Sequence, residues 1–179
     1  MVKLSNWMIV YGTDRNSGKT TLITRIIKRF GPDIRITALK ISPHFHPLEK
    51  DGQIIERTDH FAIVKEHDST TGKDSSRMLE AGARQVFYIQ VWDNDLESVL
   101  PRILELVKSC DAVICESGWM RNLIEPGLFF ILNRKGNTDI KESLARLKPF
   151  ADAFIEFDGV KFQFDIDRII FENGNWKLG

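Results

Sequence analysis

The chain has very little cysteine: two residues in 179, Cys110 and Cys115. Two thiols beside or within an apolar run make no disulfide framework, and C-x4-C alone is not a zinc site. They read as buried free thiols in a reducing cytosol. An excess of either charge is missing too. Lys and Arg total 25 against 25 Asp and Glu, a formal net charge of zero, which excludes the broad basic field that a nucleic-acid partner needs. No apolar run approaches the ~20 residues of a membrane span. The first such run, residues 7–11 (Trp-Met-Ile-Val-Tyr), is too short for a signal-peptide core with its cleavage site. Repeats and low-complexity tracts are absent as well. The expectation is one soluble, cytoplasmic domain with neither a nucleic-acid nor a membrane partner. Its apolar content of 42% and charged content of 28% are ordinary for a globular chain able to bury a sizeable core.

What is present is concentrated in Gly12-Thr13-Asp14-Arg15-Asn16-Ser17-Gly18-Lys19-Thr20-Thr21-Leu22. It follows the 7–11 run and opens onto residues 20–30, where Leu22, Ile23, Ile26, Ile27 and Phe30 recur at helical spacing. The context is strand, Gly-containing turn, helix, the arrangement of a phosphate-binding P-loop. Backbone N–H groups from Asn16, Ser17, Gly18, Lys19, Thr20 and Thr21 would surround phosphate oxygens at the positive end of a helix. The Lys19 ammonium would bridge β- and γ-phosphates, and the Thr20 hydroxyl would ligate magnesium. The usual first Gly lies five residues before the second. Thr13 holds that place here, and Gly12 stands one residue earlier.

Further along, residues 34–41 read as a second strand. Residues 43–72 have no clear period and hold all four histidines, His44, His46, His60 and His67; within them 53–65 is open between strand and helix. Thr71 and Asp74 have the spacing of a capping box for a helix that stops at Gly82. Residues 85–92, 111–116, 128–132 and 153–157 read as strands, 96–110 as an amphipathic helix and 139–147 as a short one. The tail, 160–178, alternates apolar and polar residues around Asn173-Gly174, a hairpin signal, so edge strands are expected there. Strands alternating with helices predict an α/β domain: a three-layer P-loop nucleoside-triphosphatase fold with a mainly parallel sheet and a C-terminal edge hairpin. In such sheets ligands bind beyond the carboxyl ends of the strands. That rule selects Lys40, and it selects Glu116 as a carboxylate partner of Thr20 for magnesium.

These blocks together resemble the molybdopterin-guanine dinucleotide biosynthesis protein B (MobB) family. They are Asn-Ser-Gly-Lys-Thr-Thr-Leu-Ile (16–23), Ala-Leu-Lys (38–40), Gly-Lys-Asp-Ser-Ser-Arg (72–77) with Glu-Ala-Gly-Ala (80–83), and Asp-Ala-Val-Ile-Cys-Glu (111–116). They occur in the family's order over roughly residues 8–134. The resemblance implies a homodimeric, GTP-binding accessory protein of molybdenum cofactor biosynthesis, with slow magnesium-dependent GTP hydrolysis. It also implies molybdopterin as a ligand, a molybdopterin guanylyltransferase as partner, and Lys40, Lys73 and Asp74 facing the site. Lys19 and Glu116 are then the catalytic candidates. The chain departs from the family at Ile41 (His in the family), in the length of 43–71, and at Ser117-Gly118-Trp119 (Gly-Phe in the family). No Asn-Lys-x-Asp guanine signature is present; Asn133-Arg134-Lys135 stands nearest to one. ATP therefore stays open beside GTP. Glu116-Ser117-Gly118 also resembles urease-type nickel-insertion GTPases, which with His44 and His46 keeps a metallochaperone in view. A small-molecule kinase and a nucleotide-binding regulator without turnover are the remaining classes.

Overall fold

The structure, a computed structural model, describes residues 1–48, 52–138 and 142–179. The chain runs β1 (Val2–Gly12), α1 (Lys19–Phe30), β2 (Ile36–Ser42), β3 (Gly52–Arg57), β4 (Phe61–Glu66), α2 (Asp74–Glu80), β5 (Gln85–Val91) and α3 (Leu96–Val107). It continues through β6 (Ala112–Glu116), β7 (Ile124–Arg134), α4 (Glu142–Leu147), β8 (Ala153–Phe157), β9 (Ile169–Glu172) and β10 (Asn175–Leu178). Eight strands form one sheet in the order β3-β4-β5-β2-β6-β1-β7-β8. From β5 to β8 the neighbours are parallel, and β4 and β3 add antiparallel at one edge.

Alternation along the strands feeds two cores. Trp7 and Ile9 of β1 point to one face with Val113 and Cys115 of β6, under α3 and α4 (Val99, Ile103, Leu144). Met8 and Val10 point to the other with Ile114, under α1 and α2 (Leu22, Ile26, Met78). β6 is buried along its whole length, which is why it reads as an unbroken apolar run. The result is three layers with the sheet in the middle. Both cysteines are free; Cys115 is buried and Cys110 half-buried. Among the described residues no helix is long and apolar enough to cross a membrane.

Four expectations need correction. Residues 53–65 are neither one strand nor a helix but an antiparallel hairpin, β3–β4. Its turn is closed by Thr58, whose Oγ1 accepts from the amides of His60 and Phe61, a closure without glycine that a hairpin rule does not register. The capping box does not form. Lys73 is the N-cap of α2 and no side chain caps it, while Thr71 Oγ1 takes the Lys73 amide at 3.4 Å and the Asp74 carboxylate is engaged elsewhere. The C-terminal hairpin is not an edge of the main sheet. β9 and β10 form a separate two-stranded sheet on the α1 face, where Trp176 meets Phe30 edge-on at 5.1 Å. Finally, 160–166 is not a strand. Asp158 Oδ1 accepts from the amides of Val160 and Lys161, and Asp165 Oδ1 from Asp167, so the backbone turns twice while Phe162, Phe164 and Ile166 still pack on the core. Gly82 ends α2 with φ 105, and Asn173 and Gly174 turn the last hairpin with φ 53 and 74, both as expected. β1 and β7 are longer than their apolar cores. Of residues 139–147, the first three lie outside the described residues and the rest form most of α4.

Candidate functional site

The turn after β1 is held by its own bonds. Thr13, just past the end of β1, is still tied to β7, its amide donating to Leu132 O at 2.9 Å and its hydroxyl to Asn133 Oδ1 at 2.8 Å. The turn therefore starts at Asp14, and the glycine requirement moves back to Gly12. A Cβ there would lie 2.1 Å from Ser17 Oγ and 2.8 Å from Lys19 Nζ, because the lysine folds back over the strand end. Asn16 and Gly18 both take left-handed conformations, φ 64 and φ 90, as a chain reversing onto a helix requires. A Cβ on Gly18 would also sit 2.7 Å from the Phe157 ring. Lys19 Nζ donates to Asp14 O at 2.7 Å and to Ser17 Oγ at 3.3 Å. Ser17 is buried beneath the turn. Asn133, the nearest residue to a guanine signature, has its amide committed to Thr13 and to Asn137 O.

Lys40 on β2 lies in register with Glu116 on β6. Its Nζ donates to Glu116 Oε1 at 2.6 Å and to Asp74 Oδ2 at 2.7 Å, the latter at the start of α2. Asp74 Oδ1 in turn accepts from Thr20 Oγ1 at 2.8 Å. A continuous chain thus runs Thr20–Asp74–Lys40–Glu116, joining α1, α2, β2 and β6. Glu116 is 5% exposed, and its second oxygen, Oε2, is buried without a hydrogen-bond partner. Such an atom needs an explanation.

The electrostatics follow from burial and pairing. Burial holds the Lys19 ammonium below the ordinary lysine range, in spite of Glu116 and Asp74 nearby. Burial also depresses Lys40, but Glu116 and Asp74 together outweigh it and leave the ammonium above that range. For Asp74, burial pushes the carboxyl up, yet Lys40, Thr20 and Arg77 prevail and hold it below the usual carboxylate range. Lys40 and Asp74 are therefore both charged near neutrality.

A cleft of about 590 Å³ opens over this chain, lined by Asn16, Gly18, Lys19, Thr20, Thr21, Lys40, Asp74 and Glu116. The expected site residues thus converge, apart from Ser17, which supports the turn from below, and Lys73, which lines a neighbouring cavity of about 330 Å³ with Lys40 and Asp74. His44 and His46 border the cleft, their rings 6.4 Å apart. Among the described residues no three of His, Cys, Asp and Glu gather as a metal-binding group. Sequence reasoning missed Arg77, Tyr88, Phe157 and Gly159 in the cleft lining. Phe157 and Gly159 were findable, because they end and follow a strand of the parallel sheet. No family model, curated protein or solved structure matches this chain.

Proposed function

We propose that residues 12–20 are a P-loop and that the chain binds a nucleoside triphosphate with magnesium in the 590 Å³ cleft, hydrolysing it slowly. One observation carries the reading. A lysine folded back over a glycine turn at the start of a helix stands beside a hydroxyl, two carboxylates and a second lysine that come from four separate elements. Phosphate chemistry needs that combination: donors for the oxygens, and acid groups for a cation. Lys19 exchanges its bonds to Asp14 O and Ser17 Oγ for phosphate oxygens, and the turn amides and the α1 N-terminus hold the rest.

The donor set fits a magnesium ion: the Thr20 hydroxyl and the Glu116 carboxylate are hard oxygen ligands, and they are joined through Asp74 and Lys40. When bound, that ion offsets phosphate charge and orients the terminal phosphoryl group. Lys40 keeps the two carboxylates together before nucleotide arrives. GTP ahead of ATP, the accessory role in molybdenum cofactor biosynthesis, a homodimer, a molybdopterin ligand and a guanylyltransferase partner are supported by the family resemblance alone. A second reading, phosphoryl transfer to a small acceptor, is favoured by an apolar cavity that also reaches Lys19 and Glu116.

Calorimetry with GTP and ATP, with and without magnesium, tests the binding. Glu116→Gln should weaken magnesium-dependent binding and leave metal-free binding closer to wild type; equal loss in both would make Glu116 a structural residue. Phosphate release by the purified protein alone separates hydrolysis from transfer. Slow release without an acceptor is expected, and rapid turnover only with a hydroxyl acceptor would make the protein a kinase.

A further inference from the structure

We propose that the cavity on the α4 side of Lys19 and Glu116 is a second ligand pocket, built for an uncharged, flat ring compound carrying a hydroxyl or amino group. The cavity holds about 390 Å³, within the ~300–1,000 Å³ of small-molecule sites. Tyr11, Ile41, Trp119 and Leu147 form its walls, and Lys19 and Glu116 its inner end. The walls come from β1, β2, the turn after β6, and α4.

Three features select the ligand. The first is aromatic surface. Trp119 is 39% exposed, and a Cβ on Gly118 would lie 2.5 Å from the Tyr11 ring. That ring therefore lies against the Gly118 backbone, and the glycine leaves it room to do so. Rings presented as a wall favour a ring that stacks or meets them edge-on. Phe45 and Trp92, next in sequence but one to Pro43 and next to Asp93 of the lining, form a half-exposed pair with centroids 4.9 Å apart. The second feature is charge balance. Lys19 and Arg146 face Glu116 and Asp93 in the lining, two of each sign, so an anion or a cation would gain one pair and lose the other. The third is Glu116 Oε2, buried without a partner. A hydroxyl or amino group on the ligand supplies the hydrogen bond that this oxygen lacks.

The pocket shares Lys19 and Glu116 with the cleft proposed for the triphosphate. The binding of a ring compound in this pocket does not rest on that reading.

The test is a titration of the ¹⁵N-labelled full chain with 5-hydroxyindole, and with indole as the same ring without the hydroxyl. Shifts should concentrate at Gly118, Trp119 and Asn122, and indole should bind about fivefold more weakly, as the loss of one hydrogen bond implies. Gly118→Ala, whose Cβ would collide with the Tyr11 ring and displace it, and Trp119→Ala should each weaken 5-hydroxyindole at least fivefold, roughly the loss of one aromatic contact, with GTP affinity unchanged. Shifts centred elsewhere, equal response to the two probes, or both variants binding 5-hydroxyindole like wild type would overturn the pocket. GTP affinity unaffected by Lys19→Ala would instead remove the triphosphate reading and leave the pocket standing.

Discussion

The turn after β1 and the segment after β2 leave the same carboxyl end of the sheet, from strands separated by β6, and they are built in opposite ways. The first is tied on every side: Thr13 to Leu132 and Asn133, Ser17 and Lys19 to Asp14 O, Asn137 to Asp14. The second is exposed from His44 to Pro47, and its anchors are the Ser42 hydroxyl on His44 and the Gln90 amide on His46 O. A preformed turn spends little conformational entropy when a ligand arrives, whereas a loose segment loses it then. The difference suits the turn to an invariant group and the segment to adjustable contact.

The comparison can be broken most severely at Lys19. Lys19→Ala removes the only side-chain cation fixed by the turn, so triphosphate affinity should fall at least tenfold, about 1.4 kcal/mol, with little change in melting temperature. Unchanged affinity in calorimetry would remove the turn from the binding site. Asn133→Ala should be the next largest effect, because it takes away the amide that anchors Thr13 and leaves buried polar groups short of partners. Chemical denaturation should show a loss of about 1–3 kcal/mol, and nucleotide binding should weaken as the turn loosens. A variant as stable as wild type would mean that the turn holds its shape without this anchor.

Asp74 sharpens the contrast through pH. Its folded carboxyl lies below the usual range because Lys40, Thr20 and Arg77 outweigh burial. The stability it contributes is therefore present above its unfolded value near 3.9 and lost as pH falls through the lower folded value. Asp74→Asn should flatten that acid limb of the stability curve; identical limbs would show that the Lys40 and Thr20 contacts are not felt in solution. The smallest effect belongs to the loose segment. Gln90→Leu removes its anchor on His46 O, and stability should change by no more than about 1 kcal/mol, with GTP affinity nearly intact. A tenfold loss of affinity would mean that the segment, too, is a fixed part of the site.

The same contrast explains what could be read from the chain. In the turn, residue type dictates backbone and chemistry together: glycine where φ is positive or space is lacking, lysine and threonine where a phosphate would need them. The middle strands were legible because β6 and the core of β1 are buried on both faces. The outer half of β1 and the start of β7, with Glu125-Pro126-Gly127, are half-exposed and carry no such pattern. Hairpin β3–β4 was obscured by Ile54 at 48% exposure and by a pairing shift between Ile54 and Glu56, which breaks the alternation. Local spacing, which sees only neighbours, assigned Asp74 to its own helix as part of a capping box, and only the family resemblance turned it toward the site. Its partners, Thr20 and Lys40, are 54 and 34 residues away, and tertiary proximity decided its role.

The late position of Trp176 governs the order in which the molecule can be completed. Helix α1 is made early, yet its outer apolar residue Phe30 finds its aromatic partner only at Trp176, itself 2% exposed. Phe130 likewise waits for Phe164. During synthesis the α3 side can close over the sheet while the α1 side still lacks its cover, since chains emerge from the N-terminus and long-range contacts form last. A nascent chain stalled before the final hairpin would present that uncovered face to whatever binds apolar surface. For this fold, the interval between making α1 and making β10 is the period of greatest exposure to aggregation and to chaperones.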